Sequence, residues 1–153
     1  IEKEEILKYL KKNKLKFKED KSNKDNSYTR NYYRNLVIPK IKKKNANLNK
    51  RIAKSAQNFA EIEDFLKMKA LNWLKKDKKN HDLKAFRKLH PALQKEILRQ
   101  LYCHTKGDLQ ELESKHIDEV LEMLINSHSG KHKNLGKHTV VEIKGKTFRI
   151  KEL

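Results

Sequence analysis

Residues 46–76 read ANLNKRIAKSAQNFAEIEDFLKMKALNWLKK, and Leu48, Ile52, Ala56, Phe59, Ile62, Leu66, Ala70 and Trp73 recur there at spacings of four and three. That spacing is one apolar stripe carried over about eight turns of helix. A helix of this length bridges two lobes or packs against a partner helix. Its alanines and scarce branched residues argue against a coiled coil. The KKDKKN run at 75–80 ends the stripe and marks a linker. The chain is therefore read as mainly α, with residues 46–79 as a long linker helix between segments 1–45 and 80–153.

On the N-terminal side, Pro39 interrupts a helical pattern that begins at Tyr28. Proline lacks a donor and biases Ile38 away from helical backbone, so a break is expected there, with Pro39 in the first turn of a short helix through Lys44. Between Tyr28 and Leu36, Tyr28, Tyr32 and either Asn35 or Leu36 share a face. Arg30 and Arg34 stand four apart on another. Upstream, Asp20 to Ser27 is a run of Asp, Ser, Asn and Lys, types that cap turns, and Ser27 suits an N-cap. Leu15 and Phe17 alternate with lysines as in a short strand, and residues 2–13 form an amphipathic helix with acids first and lysines last.

On the C-terminal side the texture changes. Pro91 opens a helix with Leu93, Ile97, Leu98 and Leu101 facing inward, and Gly107 stops it. Ser114 is placed to cap a second helix carrying Ile117, Val120, Leu121 and Leu124. HTVVEIKGKTFRI, residues 138–150, is two alternating runs about a Lys-Gly turn, a β-hairpin. The expected class is mainly α with a small α+β C-terminal lobe of two helices plus a β-hairpin.

The charge is uneven. The 153 residues carry a formal net charge of +18, and residues 1–55 hold 18 Lys/Arg against 6 Asp/Glu. A basic third points to a polyanion, nucleic acid first, although codon bias in an A/T-rich genome writes the same lysines and asparagines. No apolar run is long enough to span a membrane. One cysteine, Cys103, cannot close an internal disulfide, so a reducing cytoplasm is the default. The start at Ile1 suggests a piece of a longer protein.

Asp20–Pro39, DKSNKDNSYTRNYYRNLVIP, resembles a signature of the tRNA(Ile)-lysidine synthases. The pattern is Asp-x-Ser-Asn-x-Asp, two residues, Tyr-x-Arg-Asn-x-x-Arg, an apolar pair and Pro. It is met without a gap by Asp20, Ser22, Asn23, Asp25, Tyr28, Arg30, Asn31, Arg34, the Val37/Ile38 pair and Pro39. The resemblance makes residues 1–45 the C-terminal remnant of a catalytic α/β domain, 46–79 the linker helix and 80–153 a small tRNA-binding domain. It implies an ATP-dependent carbon–nitrogen ligase. Such an enzyme adenylates the wobble cytidine of an isoleucine tRNA with a CAU anticodon, using ATP with Mg2+, and free lysine then displaces AMP. It also implies homodimers, since family members often form them.

The family's Ser-Gly-Gly-x-Asp-Ser loop has no counterpart here: the four glycines are Gly107, Gly130, Gly136 and Gly145, none adjacent. A phosphate cradle needs consecutive glycine-rich amides. The fragment is therefore expected to supply RNA binding and part of the active-site wall, and to be inactive alone. By resemblance, Asp20, Asn23, Asp25 and Arg30 belong to that wall. For nucleic acid, Arg30 and Arg34 offer forked donors, Asn31 a base-reading amide and Tyr32 a stacking face. Lys131 and Lys133 offer contacts to the RNA backbone. The carboxylates either orient the arginines, receive the lysine ammonium or cap the loop, and helical spacing favours packing for Tyr28 and Tyr33.

Weaker signals are set aside. His128 and His132 lack the thiolates of a zinc site, Glu113-x-x-His116 is half of a di-iron motif, and Ser129-Gly130-Lys131 lacks the upstream glycine of a phosphate loop. Neither a metal nor a cofactor-binding residue is assigned. Two readings of other classes stand beside the leading one: a non-enzymatic basic RNA/DNA-binding module, and a helical protein-interaction domain using the 46–76 stripe.

Overall fold

The computed structural model describes residues 3–18, 20–76 and 79–153, the side chains of residues 3 and 4 excepted. Glu2, Glu19, Asp77 and Lys78, assigned above to the first helix, the strand and the linker, lie outside them. The chain divides into two compact units, Ile1–Ser55 and Ala56–Leu153.

Every regular element among the described residues of the first unit is helical. Helix α1, Lys3–Lys12, ends with lysines in its last turn. Lys14 turns to φ +54, and Leu15 N–H reaches the Leu10 carbonyl at 2.9 Å. That left-handed stop satisfies orphan carbonyls of the last turn. Leu15 and Phe17 then run as irregular, exposed backbone rather than the expected strand. A strand needs a ladder partner for its amides, and none of the described residues pairs with this segment.

A short 3-10 turn, Lys21–Lys24, precedes α2, Thr29–Tyr32. Residues 33–37 widen into a π turn, and α3, Ile38–Lys44, follows directly. The break expected at Pro39 is absent. Pro39 does sit in the first turn of α3, but Ile38 is helical at φ −57, ψ −42, and its N–H donates to Tyr33 five residues back. The wide turn keeps the path helical where a proline would have clashed with an ordinary α turn. Helix α4, Leu48–Leu74, follows. The division between the units falls within it.

In the second unit, Ala70 of α4 is fully buried and Trp73 is half-buried, while Phe59 and Ile62 earlier on the stripe stay exposed. The core reaches only the end of the stripe. Trp73 stacks on Phe148 at 6.4 Å, and Phe86 meets Phe148 edge-on at 4.9 Å. Around them lie β1 (His81–Asp82), α5 (Leu83–Arg87), α6 (Pro91–Lys106), α7 (Ser114–Asn126), β2 (His132–Asn134), β3 (Thr139–Lys144) and β4 (Thr147–Glu152).

The strands form one antiparallel sheet of order β1-β4-β3-β2, so the expected hairpin is the centre of a four-stranded sheet. Its turn begins at Gly145, φ +63, where a II′-type hairpin turn takes glycine. The lobe also gains the short helix α5, beyond the two helices read from sequence. Arg87 of α5 donates through Nε to the Leu124 carbonyl (2.8 Å) and through a terminal nitrogen to Ser127 (2.6 Å). A cation is thereby set at the C-terminus of α7, where the helix dipole favours it. Helix α6 starts at Pro91 with the His90 side chain accepting from Ala92 N–H, and stops at Gly107, φ +86.

Candidate nucleic-acid interface and active-site wall

The loop at 20–27 is built by its own side chains. Asp20 Oδ1 accepts from Ser22 N–H and Asp25 Oδ1 from Ser27 N–H, both at 2.9 Å. These are the local turns that short carboxylates favour. Asp25, not Ser27, thus caps the approach to α2, and the N-cap position falls on Tyr28 without a side-chain bond. The hydrogen bonds to Ser22 and Ser27 hold the Asp20 and Asp25 carboxyls below the usual carboxylate range.

Two asparagines then fasten this loop to the helix behind it. Asn31 Nδ2 donates to the carbonyls of Ser22 and Asp25, each at 2.8 Å. Asn35 Nδ2 donates to the Asn23 carbonyl at 3.0 Å and to Asn26 Oδ1 at 2.9 Å. Asn31 and Asn35 are four apart, so one helical face grips successive loop residues. Both hydrogens of the Asn31 amide are used on carbonyls, so a nucleotide can meet Asn31 only at its oxygen.

Arg30 on α2 and Arg34 in the π turn are exposed. Among the described residues neither has a carboxylate within ion-pairing distance, so Asp20 and Asp25 cap the loop and do not orient the arginines. The tyrosines are not core: Tyr28, Tyr32 and Tyr33 are 60%, 48% and 54% exposed, with Tyr32 and Tyr33 edge to face at 5.9 Å. The packing favoured for Tyr28 and Tyr33 is therefore not what this chain gives them. The result is a cationic, aromatic helix face beside a rigidified, anionic-tipped loop.

Asp20, Asn23, Asp25, Arg30, Asn31, Tyr32 and Arg34 all belong to the first unit. Lys131 and Lys133 belong to the second. Lys133 Nζ pairs with Glu119 at 3.1 Å, whereas Lys131 lines a cleft on the sheet. Glu113 and His116 form a helix cap, with Glu113 N–H donating to His116 Nδ1 at 3.2 Å, and the helix starts with Ser114 inside it. Ser129 Oγ accepts from Gly145 N–H at 2.8 Å and tethers the loop to the hairpin turn.

The family model of the PP-loop domain matches residues 1–41, and that of the TilS substrate binding domain matches residues 82–144. Among curated relatives, the tRNA(Ile)-lysidine synthase of Oceanobacillus iheyensis is 43% identical over 70 residues, 46% of this chain and 15% of that protein. That of Caldanaerobacter subterraneus subsp. tengcongensis is 30% identical over 138 residues, 86% of this chain and 30% of its own. That of Haemophilus ducreyi is 27% identical over 137 residues, 87% of this chain and 32% of its own.

The chain belongs to the tRNA(Ile)-lysidine synthase family.

It spans a third or less of the length of these lysidine synthases. The PP-loop match takes in the whole signature through Pro39, and the substrate-binding match takes in α5 through β3. Residue reading missed the part Asn35 and Asn26 play in holding the signature loop. An Asn pair at i, i+4 beside a polar loop is the signal that was available. It also missed Glu142, Lys144, Arg149 and Lys151, whose alternation along β3 and β4 marks a charged outer face of the sheet. Among the described residues no helix is long and apolar enough to cross a membrane.

Proposed function

We propose that this chain serves lysidine formation: ligation of lysine to the wobble cytidine of the CAU-anticodon isoleucine tRNA by an ATP-dependent carbon–nitrogen ligase in the cytoplasm. The observation that carries this is the signature loop, pinned by Asn31 and Asn35 beside two arginines that have no acidic partner among the described residues. Unpaired guanidiniums on a rigid base suit a phosphate or a splayed nucleotide, and the exposed tyrosines suit stacking by an anticodon loop. Tyr32 and Arg34 accordingly meet RNA, with Asn31 offering its oxygen.

The carboxylates of Asp20 and Asp25 stay ionised through neutral pH, which suits receiving an ammonium rather than cycling a proton. Together with Asn23 and Arg30 they form the wall at which the lysine co-substrate is held. ATP activates the cytidine when bound, but the residues present do not fit its phosphates, because no two glycines are adjacent. Nor do three His, Cys, Asp or Glu side chains come together among the described residues to hold a metal such as Mg2+. ATP and its Mg2+ are therefore assigned to residues outside this chain, and the fragment alone is inactive. Pairing into a homodimer is part of the same proposal.

Competition tests it. The chain, loaded with labelled CAU-anticodon isoleucine tRNA at low salt, is challenged with bulk tRNA. We expect bulk tRNA to compete at least about tenfold less well, the worth of one good charge-assisted contact. Equal competition would leave a generic basic RNA-binding module.

A further inference from the structure

Helix α4 leaves most of its apolar stripe uncovered. Ala70 and Trp73 pack into the core, but Ile52, Phe59 and Ile62 are 59%, 72% and 55% exposed, and Leu48 and Leu66 are half-buried. Along this one helix the facing positions are Leu48, Ile52, Ser55, Phe59, Ile62 and Leu66, spaced alternately four and three apart. That is the heptad spacing of a helix that meets another helix. A continuous apolar strip of this kind marks an interaction surface on a soluble chain.

The strip is complementary to itself in one direction. Turned end for end at the level of Gln57, it sets Leu48 opposite Leu66, Ile52 opposite Ile62 and Ser55 opposite Phe59 of a second copy, so that six layers close with none left over. The smallest member faces the largest, which evens the volume of the layers. The charges select the same direction. Lys50, Arg51 and Lys54 occupy the first turns of α4, and Glu61, Glu63 and Asp64 its middle. Antiparallel alignment sets the basic turns of each copy beside the acidic turns of the other, whereas parallel alignment sets like charge on like.

We propose that residues 48–66 form the contact between two copies of this chain, an antiparallel pair of α4 helices with Ile52 against Ile62. The contact is isologous and closes as a dimer. It runs about 28 Å along the helix. The ten large apolar side chains of the two copies cover about 1,000 Å2, the lower end of what a specific interface needs, so pairing is reversible. Beyond Leu66 the stripe turns into the chain's own core, which makes this a short helix pair rather than a long supercoil. The inference rests on the homodimer reading above and adds to it the surface, the direction and the register.

The test is sedimentation equilibrium of the whole chain and of the variants Ile52→Glu and Ile62→Lys. Both isoleucines are exposed in the single chain, so both variants should fold, and thermal melts check it. Alone, each variant sets a charge against isoleucine in two layers of its own dimer, and we expect self-association at least about thirtyfold weaker. Mixed in equal amounts, the two variants set the new carboxylate against the new ammonium in one layer and isoleucine against isoleucine in the other. We expect the mixture to associate within about tenfold of the unmodified chain. Parallel helices cannot give that rescue, because positions 52 and 62 then never face each other. Absence of rescue on mixing overturns the proposal. Variants that dimerise as strongly as the unmodified chain also overturn it, placing the dimer on another face and leaving the homodimer reading intact. An unmodified chain that stays monomeric at about 100 μM overturns both, leaves the strip to another part of a longer protein, and does not touch the reading of lysidine formation.

Discussion

Asn31 is the residue on which the signature loop depends. Its amide bridges the carbonyls of Ser22 and Asp25. Asn31→Asp would face a carboxylate against both and exchange attraction for repulsion at almost constant volume. With hydrogen bonds of this kind worth about 0.5–1.5 kcal/mol each, we expect the loop to lose about 1–3 kcal/mol of local stability. Faster tryptic cleavage at Lys21 and Lys24, with the thermal unfolding of residues 56–153 unmoved, would report it.

Acid acts on the same loop through Asp20 and Asp25. Their folded pKa values are depressed by the Ser22 and Ser27 amides, so their contribution is present above the unfolded value and disappears as pH falls through the folded one. The chemical shifts of the Ser22 and Ser27 amides should therefore be constant from about pH 9 to pH 5 and change only in stronger acid. The residue types of this loop were legible in the sequence, but the grip was not. It is made by side chain-to-backbone bonds across six to twelve residues, which leave no periodicity.

Among elements, those with local stop and start chemistry were readable from sequence. Helix α6 lies between Pro91 and Gly107, and the β3–β4 hairpin turns at Gly145, as the residues dictate. Strand β1 is two residues long, and β2 is His-Lys-Asn with no apolar alternation. Both form because partner strands offer amides, information that lies elsewhere in the chain. The π turn at 33–37 was likewise hidden, since Pro39 reads locally as a break.

Gly136 shows an element-level constraint of the opposite kind. It sits at φ +79, and a Cβ there would lie 2.8 Å from a ring carbon of buried Tyr102. Overpacking against an aromatic ring adds to left-handed strain, so Gly136→Ala should destabilise the second unit by about 2–4 kcal/mol. Chemical denaturation followed at Trp73 would measure it, and a loss below about 0.5 kcal/mol would mean that Tyr102 swings aside freely.

At the scale of the whole molecule, charge and signature agree. The first 55 residues hold most of the +18 net charge and also the Asp20–Pro39 signature, while the second unit supplies a well-packed core and a basic sheet face. The long helix was legible because its stripe is periodic. That only its end is covered was not, because burial depends on how far the core of residues 56–153 extends. The membership in the lysidine synthases rests on both halves being matched in order.

The proposed function stands on Arg30 and Arg34 meeting the reacting RNA. The most direct measurement is single-turnover lysidine formation on CAU-anticodon isoleucine tRNA by the full-length enzyme carrying Arg30→Ala or Arg34→Ala. Losing a charge-assisted contact of about 1.5–3 kcal/mol should slow the reaction or weaken tRNA binding by about 10–100-fold. Unchanged rates and affinities in both variants would contradict it.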